Sequence, residues 1–387
     1  MNRLTFFVYT FLCLLSGSLP AQPGGYRFSH LGTEQGLTHN YVVSILKDSG
    51  GFMWFGTASG LNRYDGYHFR TFKHDARDTN TLASSAVVQL YEGPEGKLWV
   101  ETRGGTSVYD ARTETFSHRP ADLLRAYGLP AASVSRIVKG RGGRFWFLTP
   151  GGIYGYAGRG KPVVHLAHVP GDTTTLGKSP VASVAEDRSG NLWVVHQDGV
   201  LEKVDSGRRR VVYRNDALRR QYPGQALAYH LTLDDDGDAW LFTEEDPRGV
   251  FYLDPDRGRF VHVHKDAPGA RLNTNIVRGV VQDNRGTVWI ATDHGGVNLL
   301  DKKDFSVTYL LHDPADPKSL SQNSVNTLYK DDAGIVWLGT FRKGVSYYHE
   351  SLAKFPLYEH RDDDPASLPF NDVNRFAEDA RGNLWIG

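Results

Sequence analysis

"GGFMWFGTASGLNRYDG" (residues 50–66) reads as a turn, an aromatic strand, a glycine-bearing turn and a second strand. Nearly the same phrase returns as "EGKLWVETRGGTSVYD" (95–110) and "RGTVWIATDHGGVNLLD" (285–301). A phrase that recurs along a whole chain is architecture before it is chemistry, so function is to be sought where the copies differ.

All eight tryptophans belong to the repeat: Trp54, Trp99, Trp146, Trp193, Trp240, Trp289, Trp337 and Trp385, spaced by 45, 47, 47, 47, 49, 48 and 48 residues. Three residues before each Trp stands glycine, and six before it stands aspartate in six copies (Asp48, Asp187, Asp234, Asp283, Asp331, Asp379). Three after it comes threonine in six of the seven complete copies, His196 being the exception. Positions twelve and nine before the Trp are apolar and fall on opposite faces of one strand, so that strand is buried on both sides. D-x-x-G makes the turn to the Trp strand, Gly supplying the positive φ and Asp bonding its own backbone. A small sheet buried on both faces must be sandwiched between copies of itself. Four strands in about 47 residues, stacked radially, make an all-β fold, a β-propeller of four-stranded blades. A linear solenoid competes, but its repeats are much shorter. Each Trp then fills the space between blades, and truncating a buried one costs about 3–5 kcal/mol.

The chain has 387 residues, 44 basic and 44 acidic. A net charge of zero without a basic cluster argues against nucleic-acid contact by this region, and the triplet Arg208-Arg209-Arg210 reads as a solvated turn. Asn2-Arg3, an apolar run from Leu4 to Leu15 and a small-residue exit at Ala21 form a signal peptide over residues 1–21, its apolar run being short for a bilayer span. The single cysteine, Cys13, lies inside it, so the mature chain has neither disulfide nor thiol nucleophile. The expected location is periplasmic.

His74, His168, His264, His312 and His360 each stand 25 residues before their Trp, with leucine eight residues later. One histidine per blade places them on separate spokes, and the surrounding Asp-Pro and Ser-Leu fit turn chemistry, so they read as structural. "DDDGD" (234–238) with Glu245 at the twelfth position imitates a calcium loop, but Asp234 and Gly237 already serve the repeat's turn and Trp240 interrupts the loop. No metal and no cofactor is expected. The Asp and Gly offsets from Trp match neither sialidase Asp-boxes nor quinoprotein propellers. No G-x-S-x-G, H-E-x-x-H or P-loop occurs, and no catalytic residue is assigned.

At "GLTHNYVVSILKDSGGFMWFGTASGLNRYDG" (36–66) and "DPKSLSQNSVNTLYKDDAGIVWLGT" (316–340) the chain resembles the two-component regulator propeller repeat, and in particular the N-terminal sensor region of periplasmic hybrid two-component histidine kinases. The likeness spans residues 26–387. It implies two seven-bladed propellers, a β-sandwich, a membrane-spanning helix and a cytoplasmic kinase in the full-length inner-membrane protein, with glycan fragments as frequent ligands. On this reading residues 26–354 form a seven-bladed propeller and 355–387 open a second, cut at "GNLWIG"; a blade cut there leaves strand edges unpaired, so the protein is expected to continue. Ring closure is open: "YRFSHL" (26–31) resembles a fourth strand, and "KFPLYEH" (354–360) is the other candidate.

Ligand specificity is expected in the turn after the Trp strand, where copies vary most: "TRGG", "HQDG", "TEEDPRG", "TDHGG" and "TFRKG". These carry Arg103, His196, Asp198, Glu244, Glu245, Arg248, Asp293, His294, Arg342 and Lys343, a set able to hydrogen-bond a sugar, another small molecule or a protein partner. A homodimer is left open. The function expected is extracytoplasmic ligand sensing for two-component signalling, with the kinase outside this chain. The rivals are a secreted propeller enzyme, a lyase or glycosidase using the same loops, and an interaction scaffold.

Overall fold

The computed structural model describes residues 26–207, 209–243, 245–269, 271–351, 360, 365 and 367–387. The signal peptide, Cys13, Arg208, Glu244 and most of "KFPLYEH" lie outside the described residues, as does the boundary at 355.

Seven antiparallel four-stranded sheets follow one another along the chain. Blades 1 to 6 are continuous segments: 42–72, 87–117, 136–166, 181–215, 229–263 and 277–310. Blade 7 takes three strands from 325–348, and its fourth, outer strand is Ser29–Leu31 from the start of the described chain. Ser29 pairs with Tyr347 and Leu31 with Val345, and Phe28 donates its backbone N–H to Lys318 O at 2.8 Å. The N-terminal strand therefore closes the ring. First strands of neighbouring blades adjoin at six of the seven seams, that of blade 7 against blade 1 among them, and at the seam between blades 5 and 6 the second strand of blade 5 (Ala239–Thr243) meets the first of blade 6; the first strands surround the axis.

The core is divided as the repeat is. Seven apolar clusters occupy the seven seams, and each holds the Trp of one blade against strands of the next: Trp54 against Leu90 and Val100, Trp240 against Val280 and Ile290, Trp337 against Val42 and Phe55. These seven indoles are at most 4% exposed, whereas Trp385 of the eighth copy, on the two-stranded ribbon Phe376–Glu378 and Leu384–Ile386, is 66% exposed. The same turn and indole bond form there.

The glycine three before each Trp has positive φ in all eight copies, from 68° at Gly96 to 91° at Gly237, a conformation that a Cβ penalises. The repeat aspartate does more than make the turn. Oδ1 of Asp283 accepts the N–H groups of Arg285 and Thr287, and Oδ2 accepts Nε1–H of Trp289 at 2.9 Å. The indole bond recurs at Asp48, Asp234, Asp331 and Asp379. Glycine replaces the aspartate in blades 2 and 3: Trp146 bonds Glu186 of blade 4 instead (2.7 Å), and Trp99 Nε1 is buried without a partner. In blade 4 Asp187 is present but turns to Asn191 and Lys203, leaving Trp193 Nε1 unpartnered too.

Four of the five repeated histidines close their linkers as structural groups: His74, His168, His312 and His360 each donate Nδ1–H to the carbonyl of the leucine eight residues on, at 2.6–2.9 Å. His264 instead accepts from Asp266 N. Two linkers lack the motif and carry short helices, α1 (Pro120–Ala126) between blades 2 and 3 and α2 (Ala217–Gln221) between blades 4 and 5. Among the described residues no helix is long and apolar enough to cross a membrane.

Candidate functional site

In a blade of four antiparallel strands the turn between the second and third strands and the linker to the next blade lie on one face; the D-x-x-G turns lie on the other. A recurring backbone bond ties the first two together. The residue four after Trp donates to the carbonyl thirteen before it: Ala58 to Tyr41, Arg103 to Ala86, Gln197 to Pro180, Asp293 to Ile276 and Phe341 to Ser324, at 2.8–3.2 Å. The variable turns are thereby held beside the points where the linkers enter the innermost strands. The mouth of the ring is built from both.

At this mouth five first strands carry a bulge, between Val42/Ser44, Val87/Gln89, Val181/Ser183, Val277/Gly279 and Val325/Thr327. A bulge re-aims the extra side chain; here these are Val43, Val88, Ala182, Arg278 and Asn326. Asn326 reaches Val42 O of the adjoining blade (3.3 Å) and Arg278 faces Asp293 (3.6 Å). Arg136 of blade 3 reaches past blade 4 to donate to Nδ1 of His230 in blade 5 (3.3 Å). His230 stacks on Phe242, and its pKa is pushed down to about 3, first by burial and then by the Arg136 guanidinium, so it accepts this bond as a neutral ring.

The predicted ligand residues separate into distinct environments. Arg103, Glu245, Arg342 and Lys343 present exposed side chains. The Arg342 guanidinium lies 5.2 Å from the ring of Phe341, which is 40% exposed and meets Tyr41 edge-on at 4.9 Å. Asp293 and His294 bond each other at 2.9 Å, His294 holding a left-handed backbone with φ of 66°. Arg248 is engaged by Asp246 and Gln225 and lies 4.0 Å over the Tyr222 ring. Asp198 faces Arg219 at 3.9 Å.

His196 does not face solvent. It is fully buried, with Nδ1–H donated to Ser179 O (2.7 Å) and Nε2 paired with Glu202 (2.8 Å). Glu202 also accepts from Gly177 N and from Arg214. Burial alone would raise the Glu202 carboxyl, but His196 and Arg214 outweigh it and hold it below the usual carboxylate range. Other blades use a smaller pair here: Thr57 at the end of the Trp strand and Asn62, which accepts Thr38 N. His196 and Glu202 are the enlarged version of that pair, which removes His196 from a ligand-facing set.

The acidic run also has an internal explanation. The Asp234, Asp236 and Asp238 carboxylates converge within 4.8 Å, and Nζ of Lys302 from blade 6 lies among them at 2.6–2.7 Å. Burial would lower the Lys302 pKa; the three carboxylates more than reverse this and raise it. The ammonium occupies the place of a cation, and Glu245, in the turn on the opposite face, is no part of the group.

Two concavities open on the linker face, in seams. One of about 400 Å³ lies between blade 7 and the linker into blade 1, with Glu34, Asn40, His312 and Lys343 on its walls. The other, about 530 Å³, lies between blades 3 and 4 and is lined by His168, Lys178, Gln197 and the turn 149–152. Of the predicted set only Lys343 lines either one. The linker residues went unassigned because their repetition pointed to structure, and a seam is composed by two blades at once.

The sequence profile of the two-component regulator propeller family matches residues 36–59, 271–294, 319–342 and 367–387. These four segments are similar to two-component regulator propeller repeats. Each matched regulator-propeller segment includes the Trp strand, and the first three run on into the turn beyond it. Over 83 residues the chain is 29% identical to histidine kinase P4 of Formosa agariphila, a match covering 21% of this chain and 6% of that protein. In fold it is similar to the extracellular domain assigned to a hybrid two-component system of B. thetaiotaomicron (TM-score 0.62, 24% identity), with 94% of this chain and 47% of that chain covered. A second extracellular domain from B. thetaiotaomicron, assigned to a one-component system, gives 0.58 at 18% identity, covering 94% and 51%. Virginiamycin B lyase from Staphylococcus aureus shares the propeller at 0.55 and 11% identity, covering 83% and 98%. The chain thus spans about half the length of the two extracellular domains.

Proposed function

We propose that this propeller is the extracytoplasmic ligand-sensing module of a two-component signalling protein, and that it takes a glycan or similar polar small molecule on the face formed by the variable turns and linkers. The observation that carries the reading is the Phe341 turn. A large ring stands 40% exposed beside Tyr41 and under the Arg342 guanidinium, where the variable turn of blade 7 meets the linker into blade 1. An exposed ring flanked by hydrogen-bonding groups suits the alternating apolar and hydroxyl surface of a sugar. The regulator-propeller repeats and the fold shared with extracellular domains of signalling systems support the same reading. In the full-length protein, occupancy of this face would be passed across the inner membrane to a histidine kinase.

Calorimetry of the chain against a panel of neutral and acidic oligosaccharides tests this. Saturable binding without product formation is expected, weakened about tenfold or more by Phe341→Ala. Turnover of any panel member would instead favour a secreted lyase or glycosidase, and binding indifferent to Phe341→Ala would place the site elsewhere.

A further inference from the structure

The seam between blades 2 and 3 departs from the other six. The residue two after each Trp stands on the face turned to the next blade, and in six blades it is buried and either apolar or glycine: Gly56, Leu148, Val195, Phe242, Ala291 and Gly339. These let the next blade close down; a Cβ on Gly56 would come within 2.6 Å of Val87. Blade 2 has Glu101, which is exposed. An unpaired carboxylate cannot be buried cheaply, and here the seam opens into a cleft of about 290 Å³. Trp99, Tyr91 and Ile137 form its walls, and the linker carrying α1 adds Leu124 and Ala131.

Among the described residues nothing answers the Glu101 charge. Its cross-strand neighbours are Gln89 and Thr106; Gln89 directs its amide to Leu90 O instead, and no lysine, arginine or histidine lines the cleft. We infer that this cleft is a binding site for a small organic cation, an amine whose ammonium pairs with Glu101 while its apolar body lies against the Trp99 and Tyr91 rings. The charge selects the ligand class. An anion is repelled, and a neutral molecule of the same shape leaves the carboxylate unpaired. The Trp99, Tyr91 and Ile137 walls offer apolar contact to the amine's body, and the volume suits one ring with a short chain. This site lies in another seam than Phe341, beside the turn 102–105, and does not rest on the glycan reading.

The test is calorimetry of the chain at neutral pH with 2-phenylethylamine, using 2-phenylethanol and phenylacetate as uncharged and anionic counterparts. Saturable binding of the amine is expected, with the alcohol and the acid about tenfold weaker or more, and Glu101→Gln should weaken the amine by about tenfold or more. Glu101→Gln removes an unpartnered group, so its thermal midpoint should stay unchanged. As a second variant, Thr106→Lys places an ammonium beside Glu101 and should abolish amine binding. The proposal is overturned if the amine does not saturate, if the alcohol binds as well as the amine, or if either variant binds the amine like the parent chain.

Discussion

Replacing Asp283 by alanine should separate the two roles of the repeat aspartate. The substitution removes an indole bond of 2.9 Å and two turn bonds of 2.9 Å to Arg285 N and Thr287 N. Trp289 is wholly buried, so its N–H loses its acceptor with no water to replace it, at about 1–3 kcal/mol. The two amides belong to an accessible turn and can rebond to water, at about 0.5 kcal/mol each. Relief of the buried carboxylate offsets part of the sum. Trp99 and Trp193 are buried without a partner in the native fold, so the loss is tolerable, and the net is about 2–3 kcal/mol. For a domain of this size that lowers the thermal midpoint by about 5 °C. Asp379→Ala is the internal control: it breaks the same bonds around Trp385, which is exposed, and should leave the propeller transition in place. Differential scanning calorimetry reads both. If Asp283→Ala melts with the parent chain, or if the two variants fall equally, the indole bond does not carry the effect.

Three further outcomes follow from the same contacts. A chain starting at residue 32 loses the closing strand with Phe28, 1% exposed, and leaves the outer edge of 345–347 without a partner strand; its urea stability should fall by about 5 kcal/mol or more, and an unchanged midpoint would show that the ring closes otherwise. His230 carries a folded pKa of about 3 against about 6.5 when unfolded. Its stabilisation is therefore complete above pH 6.5 and is lost as pH falls toward 3; His230→Gln should narrow the gap between neutral and mildly acidic melting temperatures, and an equal gap would contradict the assignment. Lys302→Met leaves three facing carboxylates, one nearly fully buried, and should cost about 3 kcal/mol in denaturant titration; a stability unchanged from the parent would mean that the ammonium is not holding them.

The repeat could be read from spacing because the forces behind it are local and periodic. The glycine three before Trp must take positive φ, and a Trp in every copy must be covered by the next. The aspartate was legible as a turn residue only; its second bond, to an indole six residues on, depends on how the Trp ring lies in the seam. Contacts between blades left no local trace. Lys302 meets Asp234 across 68 residues, Arg136 meets His230 across 94, and nothing near either residue announces its partner. His196 looked like a loop residue because the threonine it replaces borders a loop, yet Glu202 compensates for it inside the blade. Glu101 escaped notice for the opposite reason. A single glutamate in a strand is unremarkable until the six equivalent positions are seen to be buried.

Hydrogen–deuterium exchange of the chain, with and without the oligosaccharide of the panel that binds most tightly, tests the central claim most directly. The account predicts slowed exchange in the turns 102–105, 243–249, 292–296 and 340–344 and in the linkers beside them, with the D-x-x-G turns unchanged. Protection confined to the D-x-x-G face, or none at saturating sugar, would contradict it.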